Sequence, residues 1–310
     1  MESQGREAVI LCPGQGAQAV GMGQAWHDAS GAAASAFAEA DDVLGDSLGT
    51  PLSDLCFGGP ADQLNRTDVA QPALYVCAVA SYQGLRERAG ELPIAAAAGL
   101  SLGEYTALHL AGAFDFAQGL RLVAQRGRLM QEAAERTEGG MVALIGAGED
   151  QAQAICDEAA AGEVLVIANL NAPGQIVLSG HSGACRRAIE VAERLDLRAT
   201  PLAVAGAFHS PLMQSAADSM AEALAEIEVF PLRVPIWSNV TAQPHDPQNL
   251  ELLRQRLVEQ IISPVRWAQT CHKLVGEGTM TVHELAPGRV LRGLMRRINP
   301  SVKVKNHDQP

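Results

Sequence analysis

A serine flanked by two glycines is the residue of this chain best placed for covalent chemistry. Ser101 is the centre of Gly99-Leu-Ser-Leu-Gly103, between an apolar stretch (residues 94–98) that predicts a buried strand and a helix-forming stretch (residues 104–111). Gly-x-Ser-x-Gly in that context is typical of a nucleophile elbow, because the glycines allow a tight turn that exposes the hydroxyl at a helix N-terminus. The free N–H groups there would stabilise an oxyanion. The alternative is a chance match, with Ser101 only capping the helix.

A serine nucleophile needs a general base, and histidine is the usual one. Of the eight histidines, His109 is on the predicted elbow helix and is expected to face away, His181 is in a turn, and His283 is near a strand end. His209 is at a predicted strand-to-helix junction, where functional residues are common. Spacing alone therefore favours His209 but leaves the others open.

The loop Pro13-Gly-Gln-Gly-Ala-Gln18 follows an apolar stretch over residues 8–12 that predicts the first buried strand. It lacks the Gly-x-x-x-x-Gly-Lys-Ser/Thr pattern and does not fit Gly-x-Gly-x-x-Gly, so the pattern argues against a nucleotide-binding loop. Ligands of parallel-sheet proteins bind at the carboxyl ends of the strands, so its N–H groups could line a site beside Ser101. A plain tight turn is the alternative.

Positive charge is scarce in this chain, which has 23 lysines and arginines against 35 aspartates and glutamates and a net charge of −12. Nucleic-acid binding needs a basic face, so this balance argues against such a partner. A small anionic ligand needs only local positive charge. Arg126 lies on a helix predicted after the elbow helix, where an arginine is most often solvated surface charge; the pattern alone favours that interpretation.

Strands and helices alternate in the first half of the chain. A predicted helix over residues 72–88 separates the strands at 8–12 and 94–98, and the elbow helix follows the second strand at once. Such alternation predicts an α/β fold with a mostly parallel sheet. Because chains beyond about 250–300 residues usually subdivide, these 310 residues predict one large domain carrying a smaller one.

The smaller domain is predicted where the order of elements changes. From residue 141 the pattern indicates strand, helix, strand, strand, helix, strand, an order typical of a ferredoxin-like βαββαβ unit. We therefore predict a small ferredoxin-like domain over residues 135–200, inserted into a large α/β domain of residues 1–134 and 201–310. The large domain resumes with a helix over 212–227, a strand over 234–238 and a helix over 250–262.

Cysteine spacing and hydropathy indicate the cellular location of the protein. The six cysteines lie far apart, without a Cys-x-x-Cys pair or a zinc-like cluster with histidines, which predicts reduced thiols and no metal site. Residues 1–6 are polar, residues 8–12 are too few for a signal peptide, and no apolar run nears the roughly 20 residues of a membrane span. We expect a cytoplasmic location and no membrane partner.

Eight short stretches spread over nearly the whole chain carry a family resemblance. They are Pro13-Gly-Gln-Gly-Ala-Gln18, Gln71-Pro-Ala-Leu74, Leu100-Ser-Leu-Gly-Glu-Tyr105, Gln125-Arg-Gly-Arg-Leu-Met130, Asn169-Leu-Asn-Ala-Pro-Gly-Gln175, Ala207-Phe-His-Ser210, Ser238-Asn-Val240 and Ser263-Pro-Val-Arg-Trp267. Together they resemble the malonyl-CoA:acyl-carrier-protein transacylase family, most closely the discrete acyltransferases that serve polyketide synthases in trans. For its large domain the resemblance implies an α/β-hydrolase-like fold.

The resemblance implies a catalytic role for five matching residues. Ser101 would be the nucleophile and His209 its base. The backbone N–H groups of Gln15 and Leu102 would form the oxyanion hole. Gln260 matches the position whose backbone carbonyl orients the histidine, and the family uses no acidic third member.

Three more residues are expected to decide which acyl group is accepted. The resemblance implies that Arg126 binds the free carboxylate of the malonyl group, which its planar fork suits better than a lysine. Leu100 stands where the family usually has histidine, and a side chain there borders the pocket, so acyl preference and protection from water should depend on it. Phe208 resembles the residue found in members that accept malonyl groups and exclude an α-methyl branch.

The implied reaction is transfer of a malonyl group from malonyl-CoA, through a serine ester, to the phosphopantetheine thiol of an acyl carrier protein in fatty acid or polyketide synthesis. No metal or other cofactor is expected. The alternatives are an acyl hydrolase that clears carrier proteins, an acyltransferase specific for methylmalonyl-CoA or another acyl-CoA, and a non-catalytic docking subunit. Carrier proteins are generally acidic, so docking on this acidic chain should need a local basic patch, for which Arg292, Arg296 and Arg297 are candidates.

Overall fold

The described part of the chain contains two separate four-stranded sheets. The computed structural model describes residues 8–276 and 281–310. Its strands are β1 (Ala8–Cys12), β2 (Ile94–Gly99), β3 (Gly139–Ile145), β4 (Leu165–Ala172), β5 (Gln175–His181), β6 (Arg198–Pro201), β7 (Thr281–Leu285) and β8 (Val304–His307). The first sheet has the order β2-β1-β7-β8 with every pair parallel, and the second has the order β4-β5-β3-β6 with every pair antiparallel.

The parallel sheet is buried on both faces. All five residues of β1 are buried; Ile10 belongs to the core on one face, and its neighbour Leu11 belongs to the core on the other. Alternate side chains of a strand point to opposite faces, so a strand covered on both sides must be apolar throughout. The continuous apolar run of β1 is therefore a consequence of its central place in the sheet.

Helices cover both faces of the parallel sheet. The helices of the described residues are α1 (Gln24–Ala29), α2 (Gly31–Leu44), α3 (Leu52–Gly58), α4 (Ala61–Leu64), α5 (Thr67–Ala89), α6 (Gly103–Leu110), α7 (Phe116–Arg136), α8 (Glu149–Ala160), α9 (Ser182–Arg194), α10 (Gln214–Glu226), α11 (Leu250–Ile262), α12 (Trp267–Val275) and α13 (Val290–Ile298). Two of them, α8 and α9, belong to the antiparallel sheet. Among the described helices, none combines the length and apolar character needed to cross a bilayer. Helices α5 and α7 pack along each other, while α6 contacts β1 and β2 directly.

The antiparallel sheet has a hydrophobic core of its own. Helices α8 and α9 pack on it, and its core includes Leu144, Leu178 and Ile155, separate from the cores of the parallel sheet. The chain order from β3 to β6 is strand, helix, strand, strand, helix, strand, as the sequence pattern predicts. This segment therefore buries a set of apolar side chains independent of the parallel sheet.

The predicted elements are largely confirmed, with one clear error. The α/β arrangement, the parallel sheet and the helix over 250–262 are as predicted, and the helix expected from 212 begins at Gln214 after a 3-10 turn. Residues 234–238, however, form only isolated bridges, Ala97 with Ile236 and Trp237 with Pro244. Pro235 has no N–H to donate, so the segment meets the edge of β2 without continuing the ladder. The expectation for residues 1–6 lies outside the described residues.

Candidate active site

Ser101 stands at a tight turn between the end of β2 and the start of α6. Its φ is 53°, a left-handed conformation that costs a residue with a side chain roughly 1–3 kcal/mol. A Cβ added at Gly99 would lie 1.8 Å from the carbonyl carbon of Gly103, and one added at Gly103 would lie 2.2 Å from the Cys12 carbonyl oxygen. Only glycine fits either position, so the spacing of the two glycines around the serine is a packing requirement.

The hydroxyl of Ser101 is in contact with the imidazole of His209. Ser101 Oγ lies 2.8 Å from His209 Nε2, and His209 Nδ1 lies 2.8 Å from the backbone carbonyl oxygen of Gln260. A carbonyl oxygen only accepts hydrogen bonds, so Nδ1 carries the proton and Nε2 is left as an acceptor. This tautomer allows Nε2 to take the proton of the serine hydroxyl.

The imidazole of His209 is kept neutral by its surroundings. Burial lowers the pKa of His209 to about 4; the positive charge of Arg126 acts in the same direction, and the hydrogen bond to the Gln260 carbonyl opposes both. The side chain is only 4% exposed. At neutral pH the imidazole therefore has its proton-accepting nitrogen free, which is the state that general-base catalysis requires.

Arg126 on α7 is 1% exposed, which excludes the surface interpretation. Its Nη1 donates to Gln71 Oε1 at 2.7 Å, while its Nη2 donates to Gln260 Oε1 at 2.9 Å and to Ser101 Oγ at 3.2 Å. Its Nε finds no hydrogen-bond partner among the described residues. The guanidinium is thus fixed beside the serine hydroxyl with donor capacity left over.

The charge of Arg126 persists in this buried setting. Burial lowers its pKa, while the nearby Tyr105 and Glu104 raise it. An arginine starts from so high a pKa that it stays protonated in proteins. The guanidinium also lies over the Tyr105 ring, 5.3 Å from its centroid, a favourable contact for a cation. The site therefore holds one fixed positive charge.

A cavity of about 410 Å³ opens beside these three groups. Its lining includes every other predicted site residue except Gln260: Gln15, Leu100, Leu102 and Phe208. The loop after β1 is tied to the elbow, because the Leu100 N–H donates to the Cys12 carbonyl oxygen at 3.1 Å. Residues far apart in the sequence therefore border one space large enough for a small acyl group.

Known proteins of similar sequence indicate the family of this chain. The chain matches the model of the acyl transferase domain over residues 9–304. A malonyl CoA-acyl carrier protein transacylase of Bacillus subtilis (strain 168) is 40% identical over 296 residues, covering 95% of this chain and 91% of that protein. This chain belongs to the malonyl-CoA:acyl-carrier-protein transacylase family.

Two further relatives of this transacylase come from polyketide systems. The polyketide biosynthesis malonyl CoA-acyl carrier protein transacylase PksC of the same Bacillus strain is 39% identical, covering 92% of this chain and 95% of its own. A solved structure of a type II polyketide-synthase acyl-carrier protein in complex with its malonyl-transacylase superposes with a TM-score of 0.91 at 38% identity, covering 98% of this chain and 96% of that one.

Three buried residues of this transacylase that sequence reasoning did not single out are bonded to its site. Asn239 Oδ1 accepts the Ser101 N–H at 2.6 Å, and Asn239 Nδ2 donates to the Gly99 carbonyl at 2.7 Å. The carboxylate of Glu104 accepts the backbone N–H of Asn239 through one oxygen and is hydrogen-bonded to His245 Nε2 through the other. Asn239 and Glu104 stand inside stretches that carry the family resemblance, which was the available signal; nothing in the sequence marks His245.

The other histidines considered as bases lie elsewhere. His109 Nδ1 is 3.1 Å from the Phe114 carbonyl, His181 Nδ1 accepts the Val164 N–H, and His283 is stacked on His307. Within residues 8–276 and 281–310, no three histidine, cysteine, aspartate or glutamate side chains are grouped to hold a metal ion. His209 is thus the histidine that the fold brings to Ser101.

Proposed function

We propose that this protein transfers a malonyl group from malonyl-CoA, through an ester on Ser101, to the phosphopantetheine thiol of an acyl carrier protein. The observation that carries the proposal is the position of Ser101 Oγ, 2.8 Å from His209 Nε2 and 3.2 Å from Arg126 Nη2, beside one cavity. A hydroxyl, a neutral base and a fixed cation are the groups that transfer of a carboxylate-bearing acyl group requires. The Bacillus subtilis relatives, both malonyl CoA-acyl carrier protein transacylases, support the same substrate and carrier.

The first half-reaction acylates the serine. Ser101 Oγ attacks the thioester carbonyl carbon of malonyl-CoA while His209 Nε2 accepts the hydroxyl proton. The carbon–sulfur bond then breaks, and the departing CoA thiolate takes the proton from His209. Gln15 and Leu102 line the cavity beside Ser101, and their backbone N–H groups would stabilise the oxyanion formed during the attack.

The second half-reaction passes the acyl group to the carrier. The phosphopantetheine thiol gives its proton to His209 Nε2, and its sulfur attacks the ester carbonyl carbon. The carbon–oxygen bond to Ser101 breaks, and the serine oxygen regains the proton from His209. These steps use the same base twice and need no metal or redox cofactor.

The acyl group is selected by its charge and its branching. Arg126, which lines the cavity, binds the free carboxylate of the malonyl group through its guanidinium. Phe208, buried beside His209, limits the space for an α-methyl branch, and half-buried Leu100 gives the cavity an apolar border next to the ester. Malonyl is therefore preferred over both methylmalonyl and acetyl.

The pantetheine arm, common to CoA and the carrier, is recognised by amide groups of the second sheet. Asn171 and Gln175 both line the cavity, and their buried side-chain oxygens have no hydrogen-bond partner among the described residues. Buried polar atoms are normally paired, so each is suited to accept an N–H from the amides of pantetheine.

Asn171 and Gln175 both belong to the small domain, which we infer to be ferredoxin-like (135–200) and inserted in an α/β-hydrolase-like large domain. The separate core of the antiparallel sheet supports this division.

The transfer is tested by following labelled malonyl-CoA in the presence of an acyl carrier protein that bears phosphopantetheine. We expect malonyl-carrier protein to be the main product, and Ser101→Ala to form none. If free malonate exceeded malonyl-carrier protein, the enzyme would be a hydrolase instead. No exchange of label between CoA and malonyl-CoA would indicate a docking subunit without catalysis.

A further inference from the structure

The carboxylate of Glu104 joins parts of the site that come from distant segments of the chain. Glu104 is on helix α6, three residues after the serine, and is 1% exposed. Its Oε2 accepts hydrogen bonds from Gln260 Nε2 at 2.7 Å and from the Asn239 N–H at 3.0 Å. Its Oε1 lies 2.7 Å from His245 Nε2. In the reaction described above, none of these contacts touches the acyl group.

Gln260 transmits the position of Glu104 to the reacting groups. Its Nε2 donates to Glu104 and to the Ser101 carbonyl oxygen at 3.1 Å, while its Oε1 accepts from Arg126. An amide between an anion and a cation has only one favourable orientation, so the guanidinium is held through the amide by the carboxylate. The backbone carbonyl of Gln260 also holds His209 in its tautomer.

Asn239 transmits the position of Glu104 to the serine. Its backbone N–H is held by the carboxylate, and its side-chain amide bonds both to the Ser101 N–H and to the Gly99 carbonyl. The amide therefore bridges the two sides of a turn whose serine is in a left-handed conformation. His245, buried behind the carboxylate, fixes the remaining oxygen.

We propose that Glu104, held by His245, is the positioning residue of this site, and that its reach sets where Ser101, His209 and the Arg126 guanidinium lie relative to one another. The inference rests on the proposed role of Arg126 as the carboxylate ligand. A buried carboxylate near a buried guanidinium could instead serve only as its counter-charge. The two roles differ in what they demand: positioning needs the length of the side chain, and charge compensation needs its charge.

Two variants of Glu104 separate the effect of side-chain length from the effect of charge. Glu104→Asp keeps the charge and shortens the side chain, whereas Glu104→Gln keeps the length and removes the charge. We expect Glu104→Asp to slow acylation of Ser101 by malonyl-CoA about 10–100-fold, because small displacements of reacting groups are costly, and to lower the ratio of malonyl to acetyl acylation about 3–10-fold. Glu104→Gln should lose less than about 3-fold in both, since its oxygen can still hold Gln260. Equal losses, a larger loss in Glu104→Gln, or no loss in either would overturn the proposal.

A matched control separates positioning from general destabilisation. Glu284 is also fully buried, and its carboxylate accepts the N–H groups of Leu291 and Arg292 away from Ser101. Glu284→Asp should lower the melting temperature without changing the malonyl-to-acetyl ratio. If Glu284→Asp lowered that ratio as much as Glu104→Asp does, the positioning role would be wrong.

Two further comparisons keep the result interpretable. If Glu104→Asp does not fold, His245→Phe takes its place, because it removes a donor to Glu104 and should lower the malonyl-to-acetyl ratio. His245→Gln keeps an N–H and should restore that ratio. An unchanged ratio in His245→Phe would overturn the proposal. Arg126→Ala is assayed in parallel. An unchanged malonyl-to-acetyl ratio in Arg126→Ala would contradict the role of Arg126. If the ratio changed in Arg126→Ala but not in Glu104→Asp, only the role of Glu104 would be contradicted.

Discussion

The proposed reaction depends on one imidazole being neutral beside one guanidinium that is charged. His209 is buried with Arg126 nearby, and both features lower the pKa of the imidazole to about 4. The same cation lies 3.2 Å from Ser101 Oγ, the oxygen that His209 deprotonates in the proposed reaction. One residue can therefore affect acyl-group selectivity and the pH dependence of the base, and these two effects are separable by experiment.

Arg126→Ala should change which acyl group the enzyme accepts. A hydrogen bond to a charged group contributes about 1.5–3 kcal/mol, so acylation by malonyl-CoA should fall about 10–100-fold, and acylation by acetyl-CoA much less. Intact-mass kinetics with both thioesters measure the difference. Arg128→Ala, which removes an exposed arginine two residues along the same helix, is the control. Equal losses for both acyl groups would contradict a carboxylate-binding role.

The pH dependence should move when the charge of Arg126 is removed. A positive neighbour lowers the pKa of a histidine, so in Arg126→Ala the pKa of His209 rises above about 4. The base works only when neutral, so the acid limb of kcat/KM for acetyl-CoA should lie at higher pH in Arg126→Ala than in the wild type and in Arg128→Ala. An acid limb that stayed in place would show that the charge of Arg126 does not act on the base.

Single residues were predictable where their signal is local. The elbow places glycines and serine within five positions, so Ser101 could be found from spacing. His209 is 108 positions away, and its pairing with Ser101 depends on how helices and strands pack, so only the family resemblance favoured it decisively. Glu104 and His245, 141 positions apart, meet behind the site, and no spacing rule connects them.

At the level of elements, the site exists because β2, α6 and the loop after β1 approach one another closely. The turn at Ser101 leaves no room for side chains at its glycines, and the Leu100 N–H is bonded to Cys12. Strand β2 consists mostly of alanine, which lets helix α6 lie directly against it. Small residues at this corner of the sheet therefore serve packing as well as turn formation.

Gly103→Ala should distort this corner. The added Cβ would lie 2.2 Å from the Cys12 carbonyl oxygen, a backbone atom that cannot rotate away, so the variant should lose about 1–3 kcal/mol of unfolding free energy and acylate Ser101 more slowly. Chemical denaturation and acylation kinetics measure both effects. Gly293→Ala, in helix α13 with no atom within 4 Å of its added Cβ, should instead be neutral or stabilising by about 0.5–1 kcal/mol. Similar behaviour of the two variants would contradict the close approach.

Elements were predictable where hydrophobic periodicity is unbroken. Strand β1 has the predicted bounds, and the chain order of the second sheet follows from its pattern. The composition of segment 234–238 is typical of a strand. Whether the segment pairs depends on Pro235, which has no N–H, and on the hydrogen-bonding groups that the edge of β2 presents to it. Pairing is a property of two segments, so a single stretch of sequence does not determine it.

At the level of the whole molecule, an acidic chain must bind a carrier protein that is generally acidic as well. The net charge is −12, but helix α13 carries Arg292, Arg296 and Arg297, all exposed. The same helix lines the cavity through Val290 and Leu294. We expect a carrier protein to dock on this basic face, because its phosphopantetheine must reach a cavity that opens beside it.

Removing the three charges of α13 should weaken transfer without weakening acylation. Converting Arg292, Arg296 and Arg297 to glutamine should raise the KM for the carrier protein and make it less dependent on salt, while malonyl-CoA still acylates Ser101 at the wild-type rate. Steady-state kinetics at several salt concentrations measure this. Glutamine at Arg88, Arg121 and Arg136, which are also exposed, controls for total charge. Unchanged carrier kinetics in the α13 variant would place the docking face elsewhere.

The serine ester is tested most directly by intact-protein mass spectrometry after mixing with malonyl-CoA. The wild-type chain should gain the mass of one malonyl group, located by peptide analysis on Ser101, and lose it when an acyl carrier protein bearing phosphopantetheine is added. Ser101→Ala should gain none. A malonyl adduct on another residue of the wild type, or one that persists in Ser101→Ala, would contradict the assignment of Ser101 as the nucleophile.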